Sequence, residues 1–66
     1  MPIIQVQILE GRTDNQIREL IKELTDATVG SLHVEPNQVR VIVTKIPNQY
    51  WGVGGRTKAD LMNSDQ

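Results

Sequence analysis

The chain has 66 residues, seven basic and eight acidic for a net charge of -1, with one histidine and no cysteine. That length holds one domain, residues 1–66, whose core is marginal alone, and the composition removes two remedies: disulfides and a thiolate or histidine-rich metal site. The charge balance argues against a nucleic-acid binder, no apolar run approaches a ~20-residue membrane span, and the start lacks a basic-then-apolar leader. Association with other subunits is then the expected staple, and the cytoplasm the expected location.

Ile4, Val6 and Ile8 alternate with Gln5 and Gln7, which predicts a strand over residues 3–9. Glu10-Gly11-Arg12 breaks the alternation. Thr13, with Gln16 three positions on, makes a capping box, and Asp14 suits the positive end of a helix dipole. Ile17, Leu20, Ile21, Leu24, Ala27 and Leu32 follow at helical spacing and predict the inner face. Arg18, Glu19, Lys22, Glu23 and Asp26 fill the solvated face. The helix should stop near Leu32, because Gly30 weakens its last turn and Pro36 holds Glu35 out of the helical region. His33 falls at that exit and reads as a surface or capping residue, not a ligand.

Residues 39–46 predict a second strand, with Val39, Val41 and Val43 on one face and Arg40, Ile42 and Thr44 on the other. Pro47 stops it, and Asn48 to Tyr50 form a turn. Trp51-Gly52-Val53-Gly54-Gly55 fits a hairpin or bulged ribbon. It lacks the Lys-Ser/Thr and following helix of a phosphate loop. Residues 62–66 are expected to fray as a polar tail.

The fold class is therefore α/β: a single β-α-β unit with parallel strands and a right-handed crossover, plus a short C-terminal β-ribbon. The helix covers Ile4, Val6, Ile8, Val39, Val41 and Val43. The other face carries Ile3, Leu9 and Ile42 among Gln5, Gln7, Arg40 and Thr44. Parallel sheets are seldom left with a bare face, and two strands alone are barely stable. Both facts predict an oligomer.

Three residues carry candidate chemistry. Proline is small enough for Met1 to be trimmed before it, which would expose a secondary amine at Pro2. An α-amino group has a reference pKa of ~7.7–8.0, and an apolar pocket or nearby arginines lower it toward the value a general base needs. Pro2 can instead merely protect the terminus or start the strand. Arg40 lies in an apolar strand and needs an acceptor: either a substrate carboxylate in bidentate geometry or an acidic residue of another subunit. Arg12, at the helix entrance, has the same two readings.

The segments Pro2-Ile3-Ile4-Gln5-Val6-Gln7-Ile8-Leu9-Glu10-Gly11-Arg12, Val39-Arg40-Val41-Ile42-Val43 and Trp51-Gly52-Val53-Gly54-Gly55 together resemble the 4-oxalocrotonate tautomerase family. The resemblance runs from Pro2 to about Gly55. It implies a cofactor-independent and metal-free isomerase, typically a homohexamer built as a trimer of dimers. Such an enzyme moves a proton between carbons of an enol or unsaturated keto acid of the 2-hydroxymuconate type. By that resemblance Pro2 is the catalytic base, and Arg12 and Arg40 bind the substrate carboxylates and polarise its carbonyl. Leu9 and Trp51 become apolar walls, in sites shared between chains. Trp51 stands where phenylalanine is usual, which bears on substrate identity. Two alternatives stay open: hydratase or dehalogenase-type chemistry, as in related enzymes that add a pocket acid, and a non-enzymatic oligomeric module.

Overall fold

The computed structural model describes the backbone of residues 1–63 and the side chains of residues 1–62. Strand β1 (Ile3–Leu9) leads to helix α1 (Asp14–Leu32), a 3-10 turn (Pro36–Gln38) and strand β2 (Arg40–Ile46). A second 3-10 turn (Asn48–Tyr50), the short strands β3 (Gly52–Val53) and β4 (Arg56–Thr57), and helix α2 (Lys58–Asn63) follow. The expected α/β unit and ribbon are both present.

β1 and β2 pair in parallel, with Ile3 opposite Arg40, Val6 opposite Val43 and Leu9 opposite Ile46. Side chains alternate across a strand. Ile4, Val6, Ile8, Val41 and Val43 are therefore half-buried under the helix, while Ile3, Gln5, Gln7, Arg40, Ile42 and Thr44 are exposed on the open face. Val39 precedes β2 rather than opening it, and at 8% exposure it is the one buried apolar residue among those described.

α1 begins as its sequence dictates. The Gln16 N–H donates to Thr13 Oγ1 at 3.1 Å, and the Thr13 N–H donates to Gln16 Oε1 at 3.0 Å. It ends on His33, whose left-handed backbone (φ 58°) lets its N–H reach the Val29 carbonyl at 3.0 Å. This is the capping role expected of that histidine.

The inner face of the helix differs from its apolar spacing in the last turns. Ala27 and Leu32 are exposed, and Thr25, Thr28 and Val29 take the half-buried positions beside Leu24. The threonine hydroxyls tolerate this because each donates to a helix carbonyl one turn back, Thr25 to Ile21 and Thr28 to Leu24, both at 2.8 Å.

The expected frayed tail is also corrected. Met62 and Asn63 belong to α2, which starts on Thr57: its Oγ1 accepts from the Asp60 N–H at 3.0 Å. The rest of that expectation, residues 64–66, lies outside the described residues.

The single chain spans 49 × 24 × 14 Å with a radius of gyration of 15.5 Å. A compact chain of this length has a radius of only about 11 Å. Its accessible surface is 5145 Å², against roughly 4,200 Å² for a compact monomer of this mass. The β-α-β unit is one helix on one side of a two-stranded sheet, with Ile3 62% and Ile42 51% exposed on the other.

Candidate active site

β1 carries its hydrogen-bond ladder one residue past its end, because the Glu10 N–H donates to the Ile46 carbonyl at 3.0 Å. Gly11 then takes φ +115°, a conformation side chains rarely adopt. It turns the chain from the strand toward α1 and leaves Arg12 at the rim of the sheet. Strand β2 ends beside it at Ile46. The next 3-10 turn is tied back when the Asn48 N–H donates to Glu10 Oε1 at 3.4 Å.

Trp51 is fixed between neighbours. Its N–H donates to the Asn48 carbonyl at 3.4 Å, and its carbonyl accepts from the Lys58 N–H at 2.7 Å. These links bring Leu9, Arg12 and Trp51, with Gln7, Ile8, Glu10 and Gly11, around one cleft of about 450 Å³. Residues 42 positions apart in the chain, Leu9 and Trp51, thus share a wall. The structure brings Leu9, Arg12 and Trp51 together within one chain. Arg12 lines the cleft and has no ion pair among the described residues.

Pro2 and Arg40 lie at the opposite end of the sheet. The Arg40 N–H donates to the Pro2 carbonyl at 3.0 Å, and Arg40 is the register partner of Ile3. At about 3.3 Å per residue, the six steps from Ile3 to Leu9 place roughly 20 Å between the two groups. One chain therefore holds two half-arrangements: Pro2 with Arg40, and Arg12 with Leu9 and Trp51.

The side chain of Arg40 is exposed and does not dangle. Its Nη1 donates to the Asn37 carbonyl at 2.7 Å and to the Val39 carbonyl at 3.4 Å. Sequence reasoning missed this bracket, and it missed Glu10 as a wall of the cleft. The first had a signal: Glu35-Pro36-Asn37-Gln38 has the spacing of a capped turn, and the Glu35 N–H does donate to Gln38 Oε1 at 3.0 Å. Glu10 had none, because only the return of the chain at residue 48 places it beside Trp51.

The family model described as Tautomerase enzyme matches residues 2–61. The chain belongs to the tautomerase family. A 2-hydroxymuconate tautomerase of Pseudomonas putida is 44% identical over 61 residues, covering 92% of this chain and 97% of that protein. Among solved structures, TomN, a 4-oxalocrotonate tautomerase homologue of the tomaymycin biosynthetic pathway, superposes with a TM-score of 0.93. It is 38% identical, with 98% of this chain and 100% of that one covered. A heterohexamer 4-oxalocrotonate tautomerase from Chloroflexus aurantiacus J-10-fl gives a TM-score of 0.87 at 34% identity, covering 92% and 98%.

This tautomerase is accordingly an enzyme, an isomerase by reaction class. The resemblance seen in its three sequence blocks and the fold of its tautomerase relatives agree. No helix among its described residues is long and apolar enough to cross a membrane.

Proposed function

We propose that this tautomerase isomerises an enol or unsaturated keto acid of the 2-hydroxymuconate type, with Pro2 as general base and no cofactor. We further propose that it works as a homohexamer in the cytoplasm. The observation that carries this reading is the split of candidate groups between the two ends of one sheet, Pro2 with Arg40 at one end and the Arg12–Leu9–Trp51 cleft at the other. The 44% identity to a 2-hydroxymuconate tautomerase supports the substrate class.

Met1 is 79% exposed, which leaves the bond before Pro2 open to trimming. The released secondary amine is held at the start of β1 by the bond from Arg40 N–H to the Pro2 carbonyl. Arg12 anchors a carboxylate of the substrate. The Pro2 nitrogen takes the enol hydroxyl proton, the double bonds shift, and the same proton, or one in exchange with solvent, is delivered to carbon. No atom is gained or lost. Arg40 stabilises the charge that builds on the oxygen as the hydroxyl proton leaves. Leu9 and Trp51 exclude water, which strengthens these interactions.

The test joins intact-mass measurement with turnover of 2-hydroxymuconate and phenylenolpyruvate. The processed protein should be active. A form that retains Met1, whose Pro2 nitrogen is an amide, should lose about 10²-fold or more in kcat/KM, the usual worth of positioned acid–base catalysis. Arg40→Ala should fall by about 10²-fold, the scale of one lost oxyanion donor. Equal rates in all three forms remove Pro2 and Arg40 from the site.

A further inference from the structure

We infer that the 3-10 turn before β2 is a positioning device for the Arg40 guanidinium, with Gln38 as its latch. The inference rests on the proposed role of Arg40 and adds to it a residue that touches no substrate.

Pro36 starts the turn with its fixed φ and needs no N–H there. The Gln38 N–H donates to the Glu35 carbonyl at 3.0 Å, and the Val39 N–H donates to the Pro36 carbonyl at 3.1 Å. The Gln38 side chain closes the loop from the other side, its Oε1 accepting from the Glu35 N–H at 3.0 Å. Val39, buried at 8% exposure, nails the end of the turn to the sheet. The Asn37 carbonyl is the turn's remaining acceptor aimed at a side chain, and it receives Arg40 Nη1 at 2.7 Å, a short charge-assisted bond.

The consequence is directional. Nη1 is engaged twice, by the Asn37 and Val39 carbonyls. Among the described residues, no hydrogen bond engages Nε or Nη2 of Arg40. Those two nitrogens form one edge of the planar fork, and a carboxylate or an α-keto oxygen pair can be gripped along it bidentately. A long, exposed arginine would otherwise have to be ordered by the substrate itself, a cost charged against binding. The turn orders it in advance.

The test uses the processed, assembled enzyme and an enol acid substrate. Gln38→Ala should raise KM about 3–10-fold and lower kcat by a similar factor, because Arg40 both grips the substrate and stabilises charge on its oxygen, while the subunits still assemble. Gln38→Glu, which keeps an acceptor for the Glu35 N–H, should restore KM. In an Arg40→Ala background, Gln38→Ala should add nothing, because a residue acting only through Arg40 has nothing left to act on. An additive loss in that background overturns the inference, and so does a wild-type KM in Gln38→Ala beside a crippled Arg40→Ala. If Arg40→Ala itself is fully active, the proposed function is what fails.

Should Gln38→Ala not assemble, the wild-type protein decides the matter. Nitrogen-detected NMR of its guanidinium should show hindered rotation about the Cζ–Nη1 bond of Arg40. Free rotation there rules out the bracket.

Discussion

Arg12 and Arg40 differ in what holds them before a substrate arrives. Arg40 is bracketed by two backbone carbonyls, whereas Arg12 follows a glycine in a conformation of its own and has no ion pair among the described residues. Arg12→Ala should therefore act mainly on binding. Losing a hydrogen-bonded charge contact costs about 1.5–3 kcal/mol, so KM for a dicarboxylate should rise by roughly 10–100-fold. A monocarboxylate held by Arg40 alone should be affected much less, and steady-state kinetics on the two substrates would separate these outcomes. Gly11→Ala should disturb the same corner through the backbone. Strained positions of this kind cost of order 1–3 kcal/mol, readable as a lower Tm. Part of this site was legible in the residues themselves: an amine-bearing terminus and two arginines beside apolar strands. That Leu9, Arg12 and Trp51 meet in one cleft was not derivable from spacing. It depends on the chain returning past residue 48 to lay Trp51 against the end of β1.

Local rules explain which elements were readable. β1 matches its predicted span because strict alternation and β-branched side chains leave no competing period. The start of α1 is equally local, since Thr13 and Gln16 satisfy each other's backbone donors. Thr13→Ala should cost about 1 kcal/mol, the usual worth of such a cap, and lower Tm without changing kcat. The inner face of α1 was misread where apolarity alone was counted, because Thr28 can bury its methyl while its hydroxyl stays bonded to Leu24. Helix α2 was missed because it is one short stretch after two glycines. Its start rests on a local cap, the Thr57 hydroxyl accepting from the Asp60 N–H three residues on, whose spacing went unread, and on the longer-range bond from the Lys58 N–H to the Trp51 carbonyl.

On the outer face of α1, Lys22 donates to Asp26 at 3.0 Å, and this bond and the carboxylate's charge hold the lysine above its ordinary pKa. A raised lysine stabilises the fold below its unfolded pKa and loses that contribution as pH climbs through the folded value. The pair is fully solvated, so screening and side-chain entropy leave little of it. Lys22→Ala should leave Tm within experimental error at neutral pH, and a clear drop would contradict this.

At the scale of the whole molecule, the decisive fact is how little one chain buries. A sheet with a helix on one side and exposed Ile3 and Ile42 on the other has no second layer among the described residues. Its stability should therefore be inseparable from assembly, with Tm rising as protein concentration rises. Ile42→Asp should yield a largely unfolded monomer by sedimentation and circular dichroism. A folded, well-behaved monomer would break the argument. The need for partners was legible from length, missing cysteines and the bare face of a two-stranded sheet. The number of partners was not, because it depends on surfaces meeting outside the chain.

The roughly 20 Å between the two ends of β1 leads to one more expectation. A protomer lacking its basic nitrogen, as when Met1 is retained and the Pro2 nitrogen stays an amide, and another with Arg12→Ala would each be impaired in pure particles. Co-refolded together, they should complement: wherever an intact nitrogen faces an intact guanidinium across a seam, turnover returns. Random mixing of equal amounts gives such a pairing at about a quarter of the seams. The two defects can rescue one another only because catalysis would belong to the junction between chains, and no single chain would own it.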